Sequence, residues 1–417
     1  MPLNKKLIAL LTLISLVSPA ILLAEPLVKP NDIVAICGDS ITQQKRYSVL
    51  IEDYLLMCQP SSNVHAVQFG SNGAGAYVLG SRINSLALFH PTVATMLYGM
   101  NDGQYKPLND ERASGFRKGM NDSLDALKKI GVDRVVVASP DFIESANNPA
   151  SATTYNVTLA SLGEISRSVA GERGVVYTDN HAYMESAIRK IRAANPDAKF
   201  NLFDVHPELS GHIMIAYSFL KGMGFDGAIG TITADLVTGK AIGSDGHKVL
   251  SMANGKIEIE STRYPFCFVG DPEKIGPDTA TAVKYLPFND DLNRYILIVH
   301  GIKTQNAKVT WGDQSKSIPA ADLEKGVNLA ALFVPGNPFS APFAKVDAAI
   351  REKQSAETTL TWQYLANIGR LKQALPNQEP IFDQIQQGGF DEVQRLNRAC
   401  AGLVMPVRHS IVIEPQQ

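Results

Sequence analysis

The sequence lacks the features that place many chains at sight. Its formal net charge is only -2, and it holds no dense basic run. Nothing in it offers a field of phosphate contacts, so no nucleic-acid partner is expected. Cysteine is scarce: Cys37, Cys58, Cys267 and Cys400 match no metal-site spacing. Cys37 and Cys267 lie in apolar runs, so mostly free, buried thiols are expected. HExxH, GxSxG and Walker A patterns are absent. After Gly73 and Gly75 the third position of G-x-G-x-x-G falls on Val78, so the dinucleotide fingerprint fails. There is no internal repeat and no low-complexity tract.

The bulk of the chain nevertheless reads as folded. Of its 417 residues, 45% are apolar and 19% charged, which fits a globular protein. A single long apolar run occupies residues 7–23. Lys5 and Lys6 precede it, and Ala24 follows before Glu25 and Pro26. This pattern reads as a secretory signal peptide over residues 1–24, removed after Ala24. A periplasmic or secreted protein follows, with no stable membrane insertion once the leader is cleaved.

Beyond the leader, short apolar runs alternate with helical patterns. "DIVAIC", "NVHAVQFG", "TVATMLYG", "DRVVVASP" and "GVVYTD" read as strands. "RYSVLIEDYLLMC", "ASGFRKGMNDSLDALKKI", "TYNVTLASLGEISRSVA", "HAYMESAIRKIRAA" and "SGHIMIAYSFLKGMG" read as helices. Such alternation implies an α/β domain, residues 25–235, with a parallel sheet covered on both faces. The pattern then changes. "GKIEIEST" alternates with period two, and "NRYILIVHGI" and "AKVTWGD" also read as strands. A β-rich module is expected over 236–338, then a C-terminal helical segment with a final strand, "RHSIVIEP", over 339–417.

Open parallel sheets bind ligands beyond the carboxyl ends of their strands. Those ends carry Gly38-Asp39-Ser40, then Gly70, Gly73 and Gly75, then Gly99, Asn101 and Asp102. Asp204 and His206 lie late in the domain, in "LFDVHPELSGH". These residue types suit acyl transfer. A serine hydroxyl becomes nucleophilic when a histidine takes its proton. A carboxylate on the far ring nitrogen fixes the tautomer. Backbone N–H groups and an Asn side chain can hold the oxyanion, each donor being worth about 10²–10³ in rate. Each residue also has a plain structural role open to it. Ser40 could cap the helix that follows, Gly73 could serve a tight turn, and Asn101 could be a turn residue. His206 could be a half-buried structural histidine. Asp39 and Asp102 are expected to satisfy backbone N–H groups in their turns, and His212 to be structural.

Taken in order, "GDS", a glycine turn, "GMND" and "HP" resemble the SGNH/GDSL hydrolase family over residues 30–225. A secreted bacterial subgroup with a C-terminal β-rich module and helices is the nearest likeness, through "VTWGD" and "GVNLA". The resemblance implies a flavodoxin-like three-layer α/β/α sandwich. It implies Ser40 as nucleophile, Gly73 and Asn101 as oxyanion donors and His206 as base, with no cofactor and no metal. The family's usual aspartate position, three before the histidine, is Phe203 here. Either Asp204 orients His206, or a dyad works with a backbone carbonyl holding the ring. The implied activity is a serine esterase acting on a small acyl group, such as acetyl on a carbohydrate. O-acyl transfer to a glycan by the same residues and non-catalytic polysaccharide binding are the alternatives. Trp311 and Tyr295 could stack on sugars or lie in the core.

Overall fold

The computed structural model describes residues 26–59, 63–145, 147–197 and 201–416. The leader expected at 1–24 lies outside them. Five parallel strands form the first sheet: β1 (Ile33–Gly38), β2 (His65–Gly70), β3 (Val93–Leu97), β4 (Arg134–Ala138) and β5 (Val176–Thr178). Their order is β2-β1-β3-β4-β5, the doubly wound arrangement with its switch point beside β1. The strands are almost wholly apolar because both faces are covered. Ala35 and Cys37 point into one core layer and Val34 and Ile36 into the other, as period two requires.

The helices are α1 (Ser40–Gln43), α2 (Tyr47–Asp53), α3 (Val78–Ala87), α4 (Asp110–Lys129), α5 (Pro149–Arg173), α6 (Asn180–Ala194) and α7 (Leu209–Gly222). Buried side chains of α3 and α4 share the layer of Ala35 and Cys37. Those of α2, α6 and α7 share the other. Local chemistry marks their ends. Asn109 caps α4 by accepting from the Arg112 N–H at 3.0 Å, with Asp110 and Glu111 in the first turn and Lys128 and Lys129 in the last. That charge order complements the helix dipole. α5 starts at Asn148-Pro149 and stops at Gly174, in the left-handed region.

Two further sheets follow. One orders β13 (Val327–Asn328), β10 (Arg294–His300), β6 (Ala228–Asp235) and β7 (Lys240–Gly243), with β10 and β6 parallel. The other orders β12 (Gln314–Pro319), β11 (Asn306–Trp311), β14 (Val407–Gln416), β9 (Lys256–Ser261) and β8 (His247–Ala253). Two details differ from the sequence reading. β6 was expected to fall within the α/β segment but pairs with the later strands. The final strand β14 sits between β11 and β9, at the middle of its sheet, so the chain's end completes the β-rich part. Trp311 and Tyr295 are fully buried and stacked on each other, with ring centroids 5.3 Å apart. They are core residues and offer no face to a sugar. The four cysteines are free and buried. Among the described residues no helix is long and apolar enough to cross a membrane.

A buried charge fastens the C-terminal helix Ser340–Thr358 to the α/β domain. Lys353, wholly inaccessible, contacts Glu52 on α2 and donates to the Ala66 carbonyl on β2 at 2.7 Å. Glu357 lies 3.1 Å away on its other side. Burial opposes the charge, yet the Glu357 and Glu52 carboxylates hold the Lys353 ammonium above its usual range. Removing one member of such a group leaves an uncompensated buried charge, at a cost of about 3–5 kcal/mol. Lys353→Met should therefore lower unfolding stability by about that amount at pH 7. Chemical denaturation checks this; an unchanged midpoint would show that the cluster does not bear on stability.

Candidate active site

The site begins where β1 ends. Asp39 caps α1, its carboxylate accepting from the Ile41 N–H at 2.9 Å. Capping therefore falls to Asp39, and Ser40 keeps its hydroxyl for another partner. That partner is His206: Ser40 Oγ and His206 Nε2 lie 2.8 Å apart, from positions 166 residues apart in sequence. At this distance the hydroxyl donates when Nε2 carries no proton. Ser40 is half-buried and His206 exposed, so the pair is open to solvent.

The histidine loop is held by neighbours. Arg46, between α1 and α2, donates to the Pro207 carbonyl at 3.1 Å and to Glu208 Oε2 at 2.9 Å. It thus ties the segment after Ser40 to the residues after His206. From the other side, Glu144 donates its N–H to the Phe203 carbonyl at 2.7 Å. Phe203, at the family's usual aspartate position, is fully buried.

Asp204 departs from the expectation. Its carboxylate accepts from its neighbour's Val205 N–H at 2.8 Å and from the Ser145 hydroxyl at 3.1 Å. Among the described residues no hydrogen bond joins it to the His206 ring. A spacing of two residues turns this side chain toward the β4–α5 loop. In this structure Asp204 ties the histidine loop to Ser145.

The next two strand ends flank Ser40. Gly73 takes φ +69, a left-handed turn that favours glycine, on the exposed loop after β2. Asn101 follows β3, and its amide donates to the Ala74 carbonyl at 3.1 Å and to Asp39 Oδ2 at 3.3 Å. One side chain thus bridges all three loops. Asp102 accepts from the Ala76 and Gly99 N–H groups, each at 3.0 Å, as expected of it. His212 is structural: the Tyr47 N–H donates to Nδ1 at 3.3 Å, which leaves Nε2–H to face Gln44 Oε1 at 3.1 Å. Burial pushes its pKa well down. The structure therefore brings Ser40, His206, Gly73 and Asn101 to one rim and sets Asp204 behind it.

Several supporting residues carried no sequence signal. Arg46 and Ser145 look like ordinary loop polar residues, since nothing local marks a contact 161 or 59 positions away. Gln68 sits inside the apolar run of β2, and that anomaly was readable. Its amide donates to the Thr42 carbonyl of α1 at 2.7 Å, which steadies the helix carrying Ser40.

Residues 36–213 match the GDSL-like Lipase/Acylhydrolase family. This part of the chain belongs to that family, whose members are esterases and acylhydrolases of SGNH type. Among solved structures, the gut microbial diltiazem-metabolizing enzyme BT4096 is similar along nearly the whole length. It shares 21% identity over 93% of this chain and 98% of its own, with a TM-score of 0.71. That likeness extends the shared fold through the β sheets and C-terminal helices. LAE5, an alpha/beta hydrolase from the metagenome of Lake Arreo, is 22% identical over 48% of this chain and 97% of its own, with a TM-score of 0.39. Axe2, an acetylxylan esterase from Geobacillus stearothermophilus, is 20% identical over 47% and 96%, again with a TM-score of 0.39. No curated protein matches the sequence.

The buried acid beneath the site gives the fold a pH dependence. Burial, opposed by the Ile41 N–H and reinforced by the Asp141 and Asp102 charges, pushes the Asp39 pKa up to about 8 from 3.8. The unfolded chain then loses this proton near pH 4, and the folded chain near pH 8. Folding stability should fall with rising pH across that window on account of this group. Asp39→Asn keeps a capping oxygen and removes the titration. Its stability should decline less steeply than the wild type's between pH 4 and 8 in urea unfolding. Parallel declines would place the proton elsewhere.

Proposed function

We infer that this acylhydrolase works outside the cytoplasm, with Ser40 as nucleophile, and removes a small acyl group, acetyl foremost, from a carbohydrate or similar ester. The observation that carries the assignment is the 2.8 Å contact between Ser40 Oγ and His206 Nε2. The leader pattern over residues 1–24 supports the location.

The chemistry follows from the placement of the groups. His206 Nε2 takes the hydroxyl proton as Ser40 Oγ bonds to the ester carbonyl carbon. The carbonyl oxygen becomes an oxyanion, facing the N–H groups of Ser40 and Gly73 and the amide of Asn101. To donate there, Asn101 gives up its longer, 3.3 Å bond to Asp39. Collapse breaks the bond to the alcohol, and His206 passes its proton to the leaving oxygen. Water, deprotonated by the same imidazole, then releases the acid. Asp204 contributes by fixing the loop to Ser145.

A fluorophosphonate probe tests the nucleophile. It should form one covalent adduct, mapped by mass spectrometry to Ser40 and absent in Ser40→Ala. Labelling at another residue, or none at all, would remove the mechanism. Asp204 has a sharper test. Losing a true triad aspartate by Asp→Asn costs about 10⁴ in kcat. Asp204→Asn should retain kcat within about tenfold, as fits a residue that does not touch the ring. A loss of three or four orders of magnitude would restore Asp204 to the imidazole.

A further inference from the structure

Exposed aromatic rings are scarce on this molecule, and their placement is uneven. Among the exposed large apolar side chains of the described residues, two are aromatic: Tyr77, 68% exposed, and Tyr105, 53% exposed. Tyr77 ends the loop that carries Gly73, and Tyr105 ends the turn that carries Asn101. Both rings therefore stand on the loops that flank Ser40. The one-sidedness matters because tyrosine, with an apolar ring and a polar tip, is enriched at interfaces.

The Tyr105 ring is propped from behind. It stacks on Tyr155 of α5, with centroids 5.1 Å apart and planes inclined by 30°. Tyr155 is buried, and its hydroxyl donates to the Met100 carbonyl at 2.5 Å, just before Asn101. Gly103 packs against that ring so closely that a Cβ would collide with the hydroxyl. The backbone pays for the pose: Gln104 and Tyr105 both sit in the left-handed region, at φ +54 and +55. Two successive non-glycine residues there are held only by surrounding contacts. Here Gln104 N–H bonds to the Asn101 carbonyl at 3.1 Å, and the Thr158 hydroxyl to the Lys106 carbonyl at 2.9 Å. Tyr77 is tied to the same turn. Its ring lies against Gly75, next to the Asp102 carboxylate. A cavity of about 260 Å³ adjoins Tyr105 and Tyr155, and Lys106, Ser151 and Thr154 are among its lining residues.

We propose that Tyr105, propped on Tyr155, and Tyr77 form the alcohol-side subsite, where the apolar face of a sugar ring stacks while its acyl group reaches Ser40. The proposal rests on the acylhydrolase reading above and names the alcohol that reading leaves open. A flat ring face is the chemistry the tyrosines recognise. The polar residues lining the adjoining cavity suit hydroxyl groups on the ring's edge and favour a pyranose over an aryl group.

Three acetate esters read this out: an O-acetylated gluco-oligosaccharide, phenyl acetate and ethyl acetate. In Tyr105→Ala the ratio of kcat/KM on the oligosaccharide to that on ethyl acetate should fall about five- to tenfold. Tyr105→Phe, which keeps the ring, should preserve the ratio. Equal losses on all three esters would make Tyr105 a prop of the Asn101 turn and overturn the subsite. A fall confined to phenyl acetate would assign the platform to an aryl alcohol and overturn the sugar. Calorimetric binding of the deacetylated oligosaccharide to Ser40→Ala and to Ser40→Ala/Tyr105→Ala does not depend on turnover. Binding weakened at least fivefold in the double variant supports the subsite even if no ester is hydrolysed. Equal binding by the two, or none by either, overturns it even if esters are cleaved.

Discussion

Three of the loops at the rim follow from the two pairings of β1. β1 runs parallel to β2 on one side and to β3 on the other, with Gly38 opposite Gly70 and Leu97. Parallel register makes all three strands end at the same level, so the loops bearing Ser40, Gly73 and Asn101 leave the sheet together. Asn101 then joins those loops by bonding Asp39 and Ala74. The histidine needs no strand. It arrives on the segment before α7, and Arg46 fixes it there from the segment that follows Ser40. The segment after Ser40 therefore helps to position His206.

The C-terminal part of the chain reaches the same turn from below. Glu357 Oε2 accepts the Gln68 N–H at 3.2 Å, and the Thr358 hydroxyl donates to Gln68 Oε1 at 3.1 Å. Gln68 in turn donates to Thr42 on α1. Gln354 accepts from the Ser48 hydroxyl at 2.6 Å and donates to Glu52 at 2.8 Å. A helix more than 300 residues from Ser40 is thus wired to the two helices around it. Buried polar networks are costly when half satisfied, so the helix and the strand it faces form one unit. The five-stranded β-rich sheet is continuous only with β14 between β11 and β9, which makes that sheet and the C-terminal segment a single dependency.

Much of this was legible in the sequence, for identifiable reasons. The five parallel strands are nearly uninterrupted apolar runs because both their faces are buried, and such runs announce themselves. Ser40, Asn101 and His206 were legible because their turns carry glycine or proline at fixed offsets, as in "GDS", "GMND" and "HP". The bound at 235 falls after β6 because a short strand after α7 reads the same whichever sheet it joins; only tertiary pairing with β10 decides. α3, absent from the sequence reading, carries Gly80, Ser81 and Asn84, which dilute its helical period. Asp204 shows the limit of motif reasoning. Proximity in sequence suggested a partner for His206, but the direction of the side chain depends on Ser145, which no spacing rule connects to it.

The missing carboxylate is consistent with where the imidazole sits. In a buried triad the imidazolium forms in a low-dielectric pocket, and an aspartate must compensate its charge. Here the His206 ring is exposed, so water can solvate that charge directly and an aspartate has less to add. The buried acid of this site lies beneath Asn101. Asp39, pushed toward neutrality by burial, holds the Asn101 amide through a 3.3 Å bond, the one given up in the proposed mechanism. A fully charged carboxylate at that position would hold the amide more tightly and repel the developing negative charge. In this structure an acid of raised pKa lies beneath Asn101, and a solvent-exposed imidazole lies beside Ser40.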